Sequence, residues 1–200
     1  NALVFTLGGI WFILVFMLVT VIQPYKLAEQ MIGENYIELG NYLKLKAHFY
    51  HSKPDFDVLY KQIFALQVRI KEHQEATREV VFKTRQIVRE STSTSRLLMQ
   101  LFLNSLDLYE ILLTSTNDYR KLQNTFGNKN ILEKIHNYLN LLSNELVHIG
   151  ISIQGGLKTA PINDISAELH ALHEEYYQLR NQHLNAETLE DFMILRQIMH

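Results

Sequence analysis

An all-α chain, with one transmembrane helix leading into a long-helix bundle, is predicted by three observations. Residues Ala2–Ile22 contain no charged side chain, and at about 1.5 Å per residue such a helix matches a hydrocarbon core of roughly 30 Å. Beyond it, apolar residues recur every three or four positions over long stretches, which is helical spacing. Only three prolines and eight glycines interrupt 200 residues, and no useful length alternates apolar with polar as a half-buried strand would. Two units are expected: a transmembrane helix within residues 1–24 and a helical domain over 25–200.

The first element is the span itself. A buried core helix rarely needs so long an apolar run. A secretory signal would have a shorter apolar region, basic residues before it and a small-residue cleavage site after it. Val21-Ile22-Gln23-Pro24-Tyr25-Lys26 resembles an interface instead, with Pro24 placed to kink or end the helix. Lys26, Lys44 and Lys46 follow the span and lean towards a cytoplasmic position for residues 25–200. The chain opens at Asn1 directly ahead of the span and closes at His200 inside a helical pattern, so a segment of a larger protein is expected.

Residues 25–50 form the next helix, with Ile32, Tyr36, Leu39, Leu43, Ala47 and Tyr50 on one face. His51-Ser52-Lys53-Pro54-Asp55 breaks it. Ser52 with Asp55 resembles a capping box, and Pro54 suits a first helical position. Residues 55–90 follow with a coiled-coil-like seam of period 3.5: Phe56, Leu59, Ile63, Leu66, Ile70, His73, Thr77, Val80, Thr84 and Ile87. Polar His73, Thr77 and Thr84 predict looser or hydrogen-bonded packing in its second half. The hydroxyl-rich run 90–95 interrupts the pattern, because such side chains compete for the helical backbone.

Residues 95–113 place Leu98, Leu101, Phe102, Leu108 and Leu112 inward. A short helix ends at Phe126, and Gly127-Asn128-Lys129-Asn130 is a turn. Residues 131–154 carry Ile135, Tyr138, Leu142, Leu146, Ile149 and Ile153 on one stripe, and Gly155-Gly156 supplies a left-handed stop. Asn163 or Asp164 can cap a helix to about residue 183, and a last helix begins near Asn185.

Composition narrows the chemistry. A net charge of −2 gives no basic field for nucleic acid. Without cysteine there are no disulfides, thiol nucleophiles or Cys-type zinc sites. No nucleophile elbow, phosphate loop or dinucleotide fingerprint occurs. Asn104, Ser105, Asp107 and Glu110 bring polar groups into an apolar helix, but Ser105 and Asp107 face different ways. No catalytic residue is assigned and no enzyme is expected.

Glu133-x-x-His136 and Glu145-x-x-His148 each match half of a di-iron bundle motif. They lie twelve residues apart on one helix, about 18 Å, too far to share a metal pair. His170-x-x-His173 and His48-x-x-His51 have two ligands each and no third fixed by sequence. No metal and no cofactor are therefore expected. A basic row, Arg78, Arg85, Arg89 and Arg96, is the candidate for contacts with lipid phosphates or another anion. The plainer reading is a solvated face paired with Glu75, Glu79 and Glu90.

The span ending near Gln23-Pro24-Tyr25-Lys26 is followed by LAEQMIGENYIELGNYLKLKAHFY and then by EATREVVFKTRQIVRESTSTSRLLMQLFLNSLDLYE. This order and wording resemble the fusaric-acid-resistance-like (FUSC) inner-membrane proteins of bacteria, in their YccS-like branch. The resemblance covers the chain to about Tyr119 and more loosely to its end. It implies a multi-pass inner-membrane transporter that exports small, often aromatic, organic anions. Ala2–Ile22 would be the last helix of a first transmembrane set, and 25–200 a cytoplasmic domain with a gating or assembly role. Its partners would be the lipid bilayer, the remaining transmembrane segments and possible further copies of itself. Two other architectures fit the same elements: a single-pass sensor, and a membrane-anchored helical scaffold.

Overall fold

The computed structural model describes residues 2–22, 25–87, 93–115, 117–157, 160–162, 164–182 and 189–198. Every regular element among them is helical. In order they are α1 (Ala2–Ile22), α2 (Lys26–Ala47) with a 3₁₀ turn His48–Tyr50, α3 (Phe56–Ile87), α4 (Ser93–Thr114), α5 (Tyr119–Phe126), α6 (Asn130–Gly155), α7 (Ile165–Gln182) and α8 (Leu189–Ile198).

α1 stands apart from the rest in character. Its described side chains, Val4–Val15, are all exposed, Trp11 and Phe12 by about 70%. Apolar surface on this scale belongs in lipid or against another helix, not in water. Ser93–Thr114 is also long and apolar enough to span a membrane by length and composition. It is amphipathic, however, and buries Leu98, Phe102, Ser105 and Leu112 in the bundle.

α2 is the hub. It packs along α6, and its other side meets α3 and α4; α7 rests on α6, and α5 and α8 close the far end. The α2–α6 pair is unusually close because both helices present small residues. A Cβ added at Gly33 would lie 2.5 Å from the Gly150 carbonyl oxygen, and one at Gly40 2.8 Å from that of Ser143. Seven residues further along α2, the Ala47 carbonyl meets His136 Nδ1 at 2.9 Å. Each seven-residue step along α2 is thus matched by one back along α6, the spacing that keeps a seam facing its partner. Ser143 Oγ donates to the Gly40 carbonyl at 2.8 Å and fixes this register.

The core falls into three clusters down the length of α2. Ala28, Ile32 and Tyr36 meet Val81, Leu98 and Phe102 next to Tyr25. Leu39, Tyr42 and Leu43 meet Ile70 and Leu112 in the middle. At the far end Phe49 stacks on Tyr119 (4.4 Å), among Leu122, Ile135, Leu172 and Leu195. Each fully buried side chain of this kind contributes about 1.5–3 kcal/mol.

The helix ends differ from expectation in detail. Ser52 does not cap α3. Asp55 Oδ1 accepts the Val58 N–H at 3.1 Å, so Asp55 is the cap and Pro54 stands one residue ahead of it. α4 starts at Ser93, so the last three hydroxyl residues of the 90–95 run lie in its first turn. Asp118 and Asp164 cap α5 and α7 through the N–H groups of Lys121 and Ala167. Gly156, at φ 65°, ends α6: its own N–H reaches Ile153 and that of Leu157 reaches Ser152. Pro24, Asn163 and Asn185 lie outside the described residues.

The α3 seam faces inward but drifts. Leu59, Ile70, Thr77 and Thr84 are buried, and by the second half Gln74 and Val81 have joined them. A straight helix of 3.6 residues per turn slides off a strict 3.5 seam in this way. On α6 the expected stripe is only half-buried beyond Ile135; the buried positions there are Ser143, Glu145, Gly150 and Ser152. Ser143 and Gly150 are buried because α2 comes against them backbone to backbone.

Candidate functional site

Between α2, α4, α6 and the last two helices lies a cavity of about 440 Å³, walled by Leu43, Leu108, Leu142, Leu146 and Ile149. Its volume is that of a small-molecule site. The half-buried α6 stripe is its wall, which explains why Leu142, Leu146 and Ile149 do not reach the core proper. Lys46 and Glu145 are its charged members. Lys46 is buried, and its Nζ donates to the Leu112 and Ser115 carbonyls at 2.6 Å each and to Ser115 Oγ at 2.9 Å. These are the open carbonyls at the end of α4, the negative pole of that helix. Burial pushes the ammonium down from 10.5 to about 8. The Glu145 carboxylate accepts the Ile162 N–H at 3.0 Å and ties the segment before α7 to α6.

The basic row does not form one continuous site among the described residues. Arg78 is exposed and donates to Glu75 at 2.8 Å, one helical turn away. Lys83 pairs with Glu79 in the same manner at 3.3 Å. Arg96 is exposed on α4, beside a surface groove that also holds Asn104 and Asp107. The Arg85 side chain and Arg89 lie outside the described residues. Ser105 is buried, with its Oγ on the Phe102 carbonyl at 2.7 Å.

The histidine motifs meet in an unforeseen way. His48 and His51 both lie edge-on to His136, with ring centroids 5.6 and 5.3 Å apart, and Glu133 borders the same cleft. Asn140 Nδ2 contacts His136 Nε2 at 2.9 Å. Glu145 and His148 do not join this group. His170 lies 3.9 Å from Glu174, and His173 Nδ1 sits 2.9 Å from the Leu169 carbonyl, both within α7.

A tighter group was not marked by motif. Glu34 and Glu38, one turn apart on α2, face His73 of α3, and one ligand atom from each lies within 4.8 Å of the other two. The polar position His73 was legible on the α3 seam. Its carboxylate partners depend on the antiparallel register of α2 and α3, set by the 51–55 connection.

The sequence pattern of the FUSC-like inner membrane protein yccS matches residues 1–200. The chain belongs to the FUSC-like family. Its setting is therefore the bacterial inner membrane, and the exposed face of α1 has lipid as its natural environment. No curated protein and no solved structure matches the chain. The FUSC-like assignment covers the span and the bundle alike, so both belong to one family unit.

Proposed function

We propose that this FUSC-like chain is part of a multi-pass inner-membrane transporter that exports small, mainly aromatic, organic anions. Residues 25–200 are its cytoplasmic bundle and serve in gating or assembly. The family match across both the span and the bundle carries this reading. Two structural features support it. Only residues 23–25 separate α1 from α2, and α2 is the helix on which α3, α4 and α6 all rest. The cavity beside Lys46 also has the apolar walls that a small aromatic ring would meet.

The test is export. Cells lacking the gene should accumulate aromatic carboxylic acids and tolerate them less well, and re-expression should restore efflux. Unchanged tolerance and unchanged export across a broad panel of such acids would overturn the substrate class. A reporter fused after Gln182 should be active only in its cytoplasmic form.

A further inference from the structure

The α2–α3 face gathers two carboxylates and an imidazole whose hydrogen-bonding capacity its packing only partly uses. Glu34 and Glu38 are four residues apart and so share one helical face, where two like charges repel. His73 comes from the antiparallel helix opposite, and the three ligand atoms gather within 4.8 Å. We propose that Glu34, Glu38 and His73 bind a divalent first-row transition-metal ion, with water completing the shell.

Glu38 is the anchor. It is only 3% exposed, and one of its oxygens is held by Arg69 Nε at 2.8 Å. The other, Oε2, is buried without a hydrogen-bond partner. The ion pair with Arg69 therefore accounts for half of this carboxylate and leaves the rest unexplained. Arg69 itself is 64% exposed and free to swing out when a metal takes its place. His73 is set for ligation: its Nε2 lies 3.2 Å from the Met31 carbonyl. A neutral imidazole can hydrogen-bond a carbonyl through one ring nitrogen and keep the lone pair of the other for a metal, the arrangement metal-binding histidines commonly adopt. Glu34 is exposed and supplies the adjustable third ligand.

The chemistry selects the ion. One imidazole and two carboxylates suit Zn²⁺ or Mn²⁺, whereas Ca²⁺ and Mg²⁺ favour oxygen-only shells. Metal–ligand distances of about 2.0–2.2 Å require the three side chains to close in slightly, which the exposed Glu34 permits. Occupancy would clamp α2 to α3 near the membrane end of the bundle. Glu34 lies nine residues past Tyr25, about 14 Å along the helix.

The full chain, purified from membranes in detergent, is titrated calorimetrically with ZnCl₂, MnCl₂ and CaCl₂ in separate runs. Saturable uptake of zinc or manganese, with calcium much weaker, is expected. Glu38→Gln and His73→Gln should each weaken it about 10- to 100-fold. Exposed Glu34→Gln tests the same site without touching the core and should weaken it severalfold. Arg69→Gln should tighten it, because the competing cation is gone. His51→Gln with His136→Gln removes the other histidine group and should change nothing. No saturable uptake by the unaltered chain would overturn the proposal. So would uptake that survives Glu34→Gln and His73→Gln but is lost with His51 and His136.

Discussion

α2 meets its neighbours in two opposite ways. Towards α6 it offers backbone: Gly33 and Gly40 lie against Gly150 and Ser143 with no room for a Cβ. Towards α3 and α4 it offers reach. Glu38 extends to Arg69, Tyr42 accepts from Gln67, the Tyr36 hydroxyl meets the Leu101 carbonyl, and Lys46 caps the end of α4. The first interface is rigid because close-packed backbones have no rotamers to change. The second is held by long side chains whose ends can re-pair. A FUSC-like bundle that responds to its span would keep the α2–α6 pair intact and adjust on the α3–α4 side.

The sharpest way to break this contrast is Gly150→Val. Even one added carbon meets the Gly33 carbonyl and the Ile37 side chain. Overpacking of this kind costs about 1–3 kcal/mol, and here both contacts on the α2 side are confined. A loss of about 3 kcal/mol is expected in denaturant unfolding followed by circular dichroism. A cost under 1 kcal/mol would show that the α2–α6 seam is as adjustable as the other side.

Lys46 comes next. Lys46→Met leaves the Ser115 carbonyl without its lysine donor and the Leu112 carbonyl with Ser115 Oγ alone, a loss of about 1–3 kcal/mol at neutral pH. Its pH dependence has a definite sign. The folded value of about 8 lies below the ordinary 10.5, so between these values the unfolded chain binds more protons. Stability therefore rises with pH in that window, by about 2 kcal/mol between pH 8 and 10. Above pH 10 the buried tyrosines act the other way. Burial raises Tyr50 to about 12 and Tyr119 further, so the folded state holds their protons and loses stability as pH climbs. Unfolding midpoints across pH 7–11 should show a maximum near 10, and the rise up to it should vanish in Lys46→Met.

The helices of this fold were largely legible and the interfaces were not. Three-and-four spacing located α2, α3 and α6 because each buries a stripe long enough to repeat. Gly155-Gly156 announced the end of α6 through the one backbone conformation that favours glycine. The seam between α2 and α6 was also written in the sequence, as Gly33 and Gly40 seven residues apart inside a helical pattern. Apolar spacing alone ranks such positions last, although a glycine inside a helix costs about 1 kcal/mol against alanine and asks for a packing reason. The Glu34–Glu38–His73 group was legible only in fragments. Local spacing places two carboxylates on one face, but no local rule says which helix lies opposite.

Ser143→Ala tests the backbone seam without adding volume. It removes the hydrogen bond to the Gly40 carbonyl and should cost about 1 kcal/mol. The helices stay in contact, so the denaturant slope should remain as in the parent chain.

The smallest effect is expected on the adjustable side. Arg69→Gln breaks the ion pair with Glu38, whose carboxylate is buried while the guanidinium is mostly in water. Solvent screening of the exposed partner holds the cost to about 1 kcal/mol or less. Salt distinguishes this pair from the seam: added NaCl should narrow the stability difference between the parent chain and Arg69→Gln, because the exposed end of the pair is screened. Gly150→Val should lose the same stability at low and high salt, since steric overlap has no charge to screen. If Arg69→Gln instead cost as much as Gly150→Val, Glu38 would depend on Arg69 as its single counter-ion. The α2–α3 face would then be as fixed as the glycine seam, and α2 would have no side left on which to adjust.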